Sequence, residues 1–368
     1  MNELSVDEVY AKALEVLEEK LPRTTLKILL IRLDRIGDVV LSLPAVDAVR
    51  RHFPMASISM MVRPYTKEIV EGYPGIDEVL VYDYGKTGRH HSLLGNARML
   101  TELIDRRFDI AFILNPSVRS QLLPFVAGIP YRVGFESKLS FLLTHSAPDL
   151  RHEGKKQESE YTLDIVRAFG VQVDPQKQSR LEVRRDEEQF FDGILKDKKI
   201  VAIHAGASCP SKRWPKERFA ELCRRLMEAG SHELVIVGGE SEKELGDFLN
   251  ANGVRAHDFC GKLNLKQLAA LLKKSELLIS NDSGPVHIAS AVGTRTLTIF
   301  GRNLEGLSPE RWKARGTGHA VLRKEVGCVV CLAHRCTIDF ECLKALDVNE
   351  VFEKAQEMLA CGQEPALR

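Results

Sequence analysis

Short apolar runs alternate with amphipathic segments along most of this 368-residue chain. We predict strands over residues 27–32, 57–62, 78–82 and 110–114, with helical patterns between them, the first over 38–52. A polar stretch near 151–160 and a charged segment over 173–185 follow, and the alternation then restarts. Strands that alternate with helices predict a parallel sheet covered on both faces. The restart therefore predicts two α/β units that face each other across a cleft.

The second unit has the clearer pattern. We predict strands over 200–204, 234–238, 277–280 and 294–300, and helices over 216–229, 241–252, 265–273, 284–292 and 347–360. An amphipathic pattern over 6–21 predicts a leading helix, and its acidic polar face favours packing on the body of the protein or on a partner over lying on a membrane. The predicted domains are 1–25 (leading helix), 26–178, 186–346 and 347–368 (closing helix).

Charge and hydropathy exclude several classes of protein. Lysine and arginine number 52 and aspartate and glutamate 51, which leaves a net charge of +1. A nucleic-acid binder usually carries a basic excess, so nucleic acid is not an expected partner. No run approaches the roughly 20 apolar residues of a membrane span. The first residues are acidic where a secretory signal is basic, so we expect a cytoplasmic protein.

One turn in the second unit has the chemistry of a phosphate site. The apolar run 277–280 leads into Asn281-Asp282-Ser283-Gly284-Pro285-Val286-His287, where a helix is predicted to begin. Uncovered backbone N–H groups at the positive end of a helix dipole bind anions, and ligands usually bind at the carboxyl ends of parallel strands. An ordinary capped helix explains the same residues. Both interpretations stay open from this segment alone.

Two further strand ends carry charged side chains. Gly37-Asp38 opens the first predicted helix, where Asp38 serves either as a helix cap or as a general base directed into the cleft. The loop 204–215 carries small residues, Ala205 and Gly206, and then the adjacent cations Lys212 and Arg213. Such a loop lets a phosphate approach the backbone and meet a point charge. A solvated loop around a buried tryptophan is the alternative.

The loop 238–242 repeats the arrangement of strand, glycines and helix start. A carboxylate at this place can accept hydrogen bonds from ribose hydroxyls, as in dinucleotide-binding folds, or can stabilise the helix start. The chain has neither a P-loop nor a Gly-x-Gly-x-x-Gly motif, which disfavours phosphoryl transfer and dinucleotide redox chemistry. It also has no Asp-x-Asp pair for a divalent cation. The charge of a leaving diphosphate would then have to be met by cationic side chains and a helix N-terminus.

Four of the eight cysteines crowd into one segment: Cys328, Cys331, Cys336 and Cys342. Four thiolates this close can hold a structural zinc ion or an iron–sulfur cluster. A disulfide or redox pair, and free thiols, remain alternatives. The other four cysteines are scattered, as expected for free thiols in a reducing compartment.

Taken together, these segments resemble glycosyltransferase family 9, the bacterial ADP-heptose:lipopolysaccharide heptosyltransferases. The ordered motifs are Ile31–Asp38 with Leu43-Pro44-Ala45, His204–Ala207 with Lys212–Pro215, Val237-Gly238-Gly239 with Glu242, and Asn281–His287. The resemblance implies a GT-B fold, with two Rossmann-like domains facing across a cleft, the acceptor on the first and the nucleotide sugar on the second. It also implies an inverting, metal-independent transfer of heptose from ADP-heptose onto the lipid A-core, at the cytoplasmic face of the inner membrane and in peripheral contact with it.

The resemblance assigns roles to single residues. Asp38 takes the place of the proposed base, Lys212 contacts the diphosphate, and Glu242 holds the ribose. The other residues assigned to the donor are Ala205, Gly206, Arg213, Asp282, Ser283, Gly284 and His287. For the acceptor we expect Arg35, Arg63, Arg119 and Ser120, with Arg132 and Lys138 as further cations that can meet acidic sugars or phosphates.

Two features depart from the family pattern. Arg35 stands where relatives often have a small or apolar residue, and Asp34 adds a carboxylate beside Asp38. These departures bear on the identity of the acceptor and on which aspartate is the base. A family member that uses another nucleotide sugar for a surface glycan, a non-catalytic nucleotide-sugar binding module, and a sugar-nucleotide epimerase on the same fold remain alternatives.

Overall fold

The computed structural model describes residues 25–195, 198–230, 232–328 and 330–360. Within them the chain forms two parallel sheets, as predicted, and each sheet has six strands. The predicted leading helix over 6–21 lies outside the described residues. No helix in the described part of the chain is both long and apolar enough to cross a bilayer.

The first sheet has the strand order β3-β2-β1-β4-β5-β6. Its strands are β1 (Lys27–Ile31), β2 (Ser57–Val62), β3 (Glu78–Val81), β4 (Ile110–Ile113), β5 (Tyr131–Phe135) and β6 (His145–Ala147). The helices of this half are α1 (Ile36–Val40), α2 (Leu43–His52), α3 (Lys67–Val70), α4 (Leu93–Arg106), α5 (Val118–Val126) and α6 (Glu158–Arg167).

The second sheet has the order β12-β11-β10-β7-β8-β9. Its strands are β7 (Ile200–His204), β8 (Glu233–Ile236), β9 (His257–Asp258), β10 (Ser275–Asn281), β11 (Arg295–Ile299) and β12 (His319–Leu322). The helices are α7 (Arg185–Gln189), α8 (Asp192–Leu195), α9 (Lys216–Glu228), α10 (Lys243–Ala251), α11 (Leu265–Lys274), α12 (Gly284–Val292), α13 (Pro309–Trp312), α14 (Glu341–Lys344) and α15 (Val348–Ala360).

Both sheets have the order of a Rossmann fold, counted from the first strand of each half. Every strand pair is parallel. The central strands are buried on both faces, which explains their uninterrupted apolar sequences. The order in which strands are added to each sheet reverses between the first and fourth strands of its half, that is, between β1 and β4 and between β7 and β10. Ligands bind at such switch points in open α/β sheets.

The helix predicted over 38–52 is instead two helices, α1 and α2. Residues 41 and 42 separate them, and Pro44 lies in the first turn of α2. Proline has no N–H to continue the α1 ladder but fits the first turn of a new helix. The hydroxyl of Ser42 donates to the carbonyl of Asp38 at 2.7 Å. The break ends α1 at Val40, and Asp38 lies in the first turn because the helix begins at Ile36.

The two halves share a continuous apolar core. One buried cluster contains Ile28 and Phe112 of the first sheet together with Leu278 and Ile288 of the second half. Helices α1 and α12, one from each half, pack against each other. The C-terminal helix α15 packs on α9 and β10. We retain as proposals the division at 178–186 and a separate closing segment from residue 347.

Candidate functional site between the two sheets

A cavity of about 670 Å³ lies between the two halves, at the carboxyl ends of the strands. From the first half it is lined by Arg35, Gly37, Asp38 and Tyr65. From the second half it is lined by residues of the three predicted strand-end loops, including His204, Lys212, Arg213, Glu242, Asp282, Ser283, Gly284 and His287. The structure therefore brings most of the predicted donor residues to one place.

Asp282 anchors the cationic part of this cavity. Its Oδ2 atom lies 3.0 Å from the ammonium nitrogen of Lys212 and 2.6 Å from a guanidinium nitrogen of Arg302. Asp282 and Arg302 are both buried. Lys212 also lines the cavity, so its charge is held in a fixed position and faces the open space. Fixed charges of this kind can stabilise a leaving diphosphate without reorganisation.

The start of α12 gives the same region a second source of positive potential. Ser283 is the residue before the helix, with an extended backbone, and Pro285 lies in the first turn. The Ser283 hydroxyl bonds a ring nitrogen of His204 at 2.9 Å, so it does not cap its own helix. A nine-residue helix with uncapped N–H groups directed at a cavity provides donors for an anion.

Glu242 and His204 form a pair in another part of the cavity. The Nε2 atom of His204 lies 3.2 Å from Oε2 of Glu242, which also accepts a 2.8 Å bond from the backbone of Gly239. Burial alone raises the pKa of Glu242, but the hydrogen bond and charge of His204 outweigh it, so the pKa lies below its usual value. Glu242 is therefore an ionised acceptor at neutral pH.

Gly206 is required for this arrangement. A Cβ atom there would lie 1.6 Å from a carboxylate oxygen of Glu242. Neither Ala205 nor Gly206 lines the cavity. Instead, their carbonyls accept hydrogen bonds from the buried side-chain amide of Asn281, at 2.7 and 3.3 Å. These two residues shape the loop beside the cavity, and Arg213 supports it by donating to the carbonyl of Ala207 at 2.9 Å.

His287 connects the two halves. It is buried on α12, and a Cβ atom at Gly37 would lie 2.6 Å from its ring, so only glycine allows α1 to approach so closely. Burial lowers the pKa of His287 to about 4, although the Asp282 and Asp38 carboxylates act in the opposite direction. The imidazole is therefore neutral at pH 7, and it contributes contact and polarity to the cavity wall but no charge.

A second cavity, of about 430 Å³, adjoins the first. It is lined mainly by charged and aromatic residues of the first half: Arg32, Asp34, Arg35, Asp38, Arg63, Arg151, Glu158, Tyr65 and Tyr84, with Arg311 and Trp312 from the second half. Asp38 is the one carboxylate that lines both cavities, in the part of the chain that the structure describes. It therefore lies where the contents of the two cavities would meet.

The carboxylate of Asp38 is held on both oxygens. Oδ1 accepts from the buried guanidinium of Arg32 at 2.9 Å, and Oδ2 accepts from the backbone N–H of Arg35 at 3.2 Å. The Asp38 side chain therefore caps the start of α1 and also lines both cavities. Asp34 lies 3.1 Å from another nitrogen of Arg32 and lines only the second cavity. Burial, with the nearby Asp38 and Glu158 charges, raises the pKa of Asp34, while Arg32 opposes the shift.

A buried ion network behind Asp38 was not predicted from the sequence. Glu158, which is 1% exposed, accepts from Arg32 at 2.8 Å with one oxygen and from Arg311 at 2.6 Å with the other. The network therefore joins β1, the start of α6 and α13, and it bridges the two halves. Since an unpaired buried charge is costly, the three groups stabilise one another's positions.

The predicted acceptor residues divide into two groups. The Arg63 guanidinium lies over the rings of Tyr65 and Tyr84, at 5.3 and 4.5 Å from the centroids. Arg119 lies 4.9 Å from the centroid of Tyr84. Arg35 lines both cavities and donates to the Ser208 hydroxyl across the cleft at 2.8 Å.

The structure does not bring Ser120 to either cavity. Its side chain is buried, and its hydroxyl bonds Ser117 and the carbonyl of Asn115 at the start of α5. Arg132 is likewise turned to local carbonyls, because it donates to that of Leu142 at 2.6 Å. Lys138 is exposed. Of the expected acceptor residues, we therefore retain Arg35, Arg63 and Arg119.

The four clustered cysteines line another cavity, beside Gly301 and Arg302. Backbone N–H groups of Asn303 and Ala333 donate to the sulfur of Cys331, and that of Phe340 donates to Cys336, at 3.3 to 3.4 Å. Among the described residues, however, no three histidine, cysteine or carboxylate side chains are placed to hold a metal ion. The metal interpretation of this loop stays a prediction.

The residues that line or support the two cavities and that were not predicted from the sequence are Arg302, Glu158, Arg311, Tyr65 and Trp312. Arg302 comes shortly after the end of β11, and this position after a strand could have marked it in the sequence as a candidate. Glu158 and Arg311 are 153 residues apart and are paired only by the fold.

Comparison with known proteins agrees with this geometry. The family model described as "Glycosyltransferase family 9 (heptosyltransferase)" matches residues 97–340, which is more than half of the chain. The chain belongs to glycosyltransferase family 9. As a member of this family it is a glycosyltransferase, and the two facing Rossmann-like sheets are the GT-B fold of such enzymes.

Named relatives point in the same direction. Lipopolysaccharide heptosyltransferase 2 of Escherichia coli is 26% identical over 301 residues, which cover 77% of this chain and 85% of the relative. A solved family 9 glycosyltransferase from Veillonella parvula superposes with a TM-score of 0.81 at 23% identity, over 92% of this chain and 99% of that one. E. coli heptosyltransferase WaaC, solved with ADP-2-deoxy-2-fluoro heptose, has a TM-score of 0.69 at 17% identity, over 90% and 99% of the two chains.

Proposed function

We propose that this family 9 glycosyltransferase transfers heptose from ADP-heptose onto the inner core of lipopolysaccharide. The observation that carries the proposal is the position of Asp38 between two cavities, one with fixed positive charge and a helix N-terminus, the other rich in arginine. Relatives named as lipopolysaccharide heptosyltransferases, and a similar structure solved with an ADP-heptose analogue, support this donor and this acceptor.

The donor is proposed to lie along the larger cavity. Its apolar part, lined by Phe259, Leu263 and Leu268, suits an adenine ring. The ionised Glu242 accepts from the ribose hydroxyls. Lys212, with the backbone N–H groups at Gly284, meets the diphosphate. Arg302 does not line this cavity, and its role is to position Asp282 and, through it, Lys212.

In the proposed reaction Asp38 is the general base. It takes the proton from the acceptor hydroxyl as that oxygen attacks the anomeric carbon and the bond to the diphosphate breaks. Attack from the side opposite to the leaving group inverts the anomeric configuration. The charge that develops on the diphosphate is stabilised by Lys212 and the α12 N-terminus. These groups supply the electrophilic assistance that a divalent cation provides elsewhere, which supports a metal-independent transfer.

The acceptor is proposed to enter the smaller cavity. Core glycolipids carry acidic sugars and phosphates, and Arg35, Arg63 and Arg119 are cations at or beside this cavity. Such an acceptor is anchored in a membrane, so we also propose that the enzyme acts at the cytoplasmic face of the inner membrane and touches it peripherally. Donor and acceptor are the partners that this function requires.

The direct test is a transfer assay with the purified full chain, ADP-heptose and a core glycolipid that lacks heptose. We expect a product one heptose heavier, with inverted anomeric configuration by NMR, and full activity in the presence of a chelator. Transfer from another nucleotide sugar, but not from ADP-heptose, would refute the donor assignment. Conversion of the donor in the absence of any acceptor would indicate an epimerase.

Zinc or an iron–sulfur cluster at the four clustered cysteines remains a structural proposal, separate from the reaction. Three N–H···S hydrogen bonds support it, since sulfur accepts well when it carries charge. Elemental analysis of chain purified without oxygen tests it. A stoichiometric metal that is lost when Cys331 is replaced by serine is the expected result, and chain without zinc or iron would end the proposal.

A further inference from the structure

The outer face of the first half carries an exposed apolar surface. It is formed by six side chains, Leu93, Leu94, Val118, Leu122, Phe125 and Phe141, which we name the apolar rim. Leu93 is 90% exposed and Phe141 is 76% exposed. Large apolar side chains gathered at such exposure on one face indicate an interaction site more often than a neutral surface.

These side chains belong to three neighbouring elements on one face of the first sheet. Met99 of α4, Leu123 of α5 and Leu143, just after the 3₁₀ turn Ser140–Leu142, all pack into the same apolar cluster. Helix α5 contacts both α4 and that turn. Along α5, Val118, Leu122 and Phe125 recur at the spacing of one helical face. Because the inward side chains share one cluster, the outward ones lie on the same side of the sheet.

The charge around the apolar rim is mainly basic. Residues 84–148 contain eight lysine and arginine residues against four acidic ones, and the basic residues nearest the apolar rim in sequence are Lys86, Arg89, Arg98, Arg119, Arg132 and Lys138. In a chain with 52 basic and 51 acidic residues this local imbalance is large. None of these six cations forms an ion pair with a carboxylate within the described ranges. Apolar side chains flanked by unpaired cations suit an anionic lipid surface, where both kinds of group are stabilised.

The apolar rim is also continuous with the second cavity. Helices α4 and α5 begin at the carboxyl edge of the sheet, because each follows a parallel strand, so Leu93, Leu94 and Val118 lie at the edge where the cavities open. Arg119, beside Val118, lies over the ring of Tyr84, which lines the second cavity. A membrane against the apolar rim would therefore lie next to the proposed acceptor site.

We propose that the apolar rim and its cations dock the enzyme on an anionic lipid bilayer, with the second cavity facing the membrane edge. The biological purpose of this docking rests on the proposed function, since a lipid-anchored acceptor has to be reached at a membrane surface. The docking itself requires neither donor nor acceptor, so it can be tested independently of the reaction.

The test is sedimentation of the full chain with vesicles of phosphatidylethanolamine and phosphatidylglycerol, compared with vesicles of phosphatidylcholine. We expect binding to the anionic vesicles and little to the neutral ones. Raising the salt to about 1 M, where the Debye length is about 3 Å, should weaken binding strongly. A chain that binds neither kind of vesicle, or both equally, would overturn the proposal.

The key variant replaces Leu93, Leu94 and Phe141 by serine. Vesicle binding should fall by about 10²- to 10³-fold, because each of these three side chains contributes on the order of tenfold when it is buried. The control replaces Met55 and Ile194 by serine. Both are exposed apolar residues outside the apolar rim, and Ile194 is close in sequence to Asp186, Glu187, Glu188 and Asp192. The vesicle binding of this control variant should equal that of the parent chain.

Two measurements separate the outcomes. An unchanged thermal unfolding transition shows that the triple variant is folded, and an unchanged ADP affinity by calorimetry shows that its second half is intact. Size-exclusion chromatography detects the other possible occupant, a second copy of this chain. A dimer that dissociates in the triple variant, with vesicle binding unchanged, would assign the apolar rim to self-association and refute membrane docking. If docking is found but no heptose is transferred, the proposed function fails and the docking inference stands.

Discussion

The two halves have the same strand order but present charge in opposite ways. In the second half the charged groups of the cavity are paired and held, as in the Lys212–Asp282 pair at 3.0 Å and the His204–Glu242 pair at 3.2 Å. In the first half Arg63 and Arg119 lie over tyrosine rings and form no ion pair with any carboxylate in the described part of the chain. A fixed site suits a small donor of constant shape, and open cations on aromatic rings suit a large anionic acceptor.

Asp38 belongs to the first half but is held like the groups of the second. Arg32 and the backbone of Arg35 fix its two oxygens, and Glu158 with Arg311 fixes Arg32 from behind. The comparison therefore predicts that substitutions at held groups reduce chemistry or donor binding, while substitutions at open cations affect the acceptor.

The largest effect is expected at Asp38. Replacement by asparagine keeps the shape but removes the base, so turnover should fall by about 10² to 10⁴ while ADP affinity is unchanged. Steady-state kinetics and calorimetry measure the two quantities. The matched control is Asp34→Asn, at a neighbouring carboxylate that lines only the second cavity. A larger loss of turnover in that variant than in Asp38→Asn would move the base to Asp34.

Removing the fixed charge of the donor cavity should weaken donor binding. We expect Lys212→Ala to lower ADP affinity by about 10- to 100-fold, as is usual for the loss of a charged hydrogen bond to an anion. Calorimetry measures this, with Lys198→Ala as the control. Lys198 is an exposed lysine just before β7, and it is paired with Glu233 at the start of β8. Equal affinities in the two variants would remove Lys212 from the donor site.

A smaller effect is expected at the open cations. Arg63→Ala and Arg119→Ala should each raise the acceptor KM by about five- to tenfold and leave the donor KM unchanged, since partly exposed charges contribute modestly. The effect should shrink as salt rises. A raised donor KM in either variant would show that the contrast between the two halves is wrong.

His287 gives a prediction for pH and stability. Its pKa is about 4 in the folded chain and about 6.5 in the unfolded chain, so the unfolded state takes up the proton first. Its contribution to stability is therefore complete above pH 6.5 and is lost as pH falls toward 4, by up to about 3 kcal/mol. Denaturant unfolding across this range should show a shallower pH dependence for His287→Gln. An identical dependence would mean that the imidazole titrates normally.

The sequence predicted the central strands and the ends at which the donor residues lie. Runs such as 200–203 are apolar throughout because both faces of the sheet are covered, and this pattern is local. It did not predict β5, β6, β9 and β12. Arg132 and His145 interrupt the apolar pattern of β5 and β6, while β9 has only two residues and begins with His257.

Sequence motifs also placed Asp38, Lys212, Glu242 and His287 in one cavity, because each belongs to a short segment at a strand end. They did not reveal Glu158 and Arg311, whose only link is a contact between residues distant in sequence. Ser120 shows the opposite error, since a polar residue beside Arg119 is used to start its own helix. Local patterns thus identify the groups that line a site, and the fold identifies the groups that hold them.

We propose above all that Asp38 lies where the donor sugar and the acceptor hydroxyl meet. The most direct measurement is a crystal structure of this chain with ADP-2-deoxy-2-fluoro heptose and a soluble core acceptor. We predict the diphosphate at Lys212 and the start of α12, and an acceptor hydroxyl hydrogen-bonded to Asp38 on the side of the anomeric carbon opposite to the diphosphate. A sugar bound away from Asp38, with its anomeric carbon facing another carboxylate, would contradict the claim.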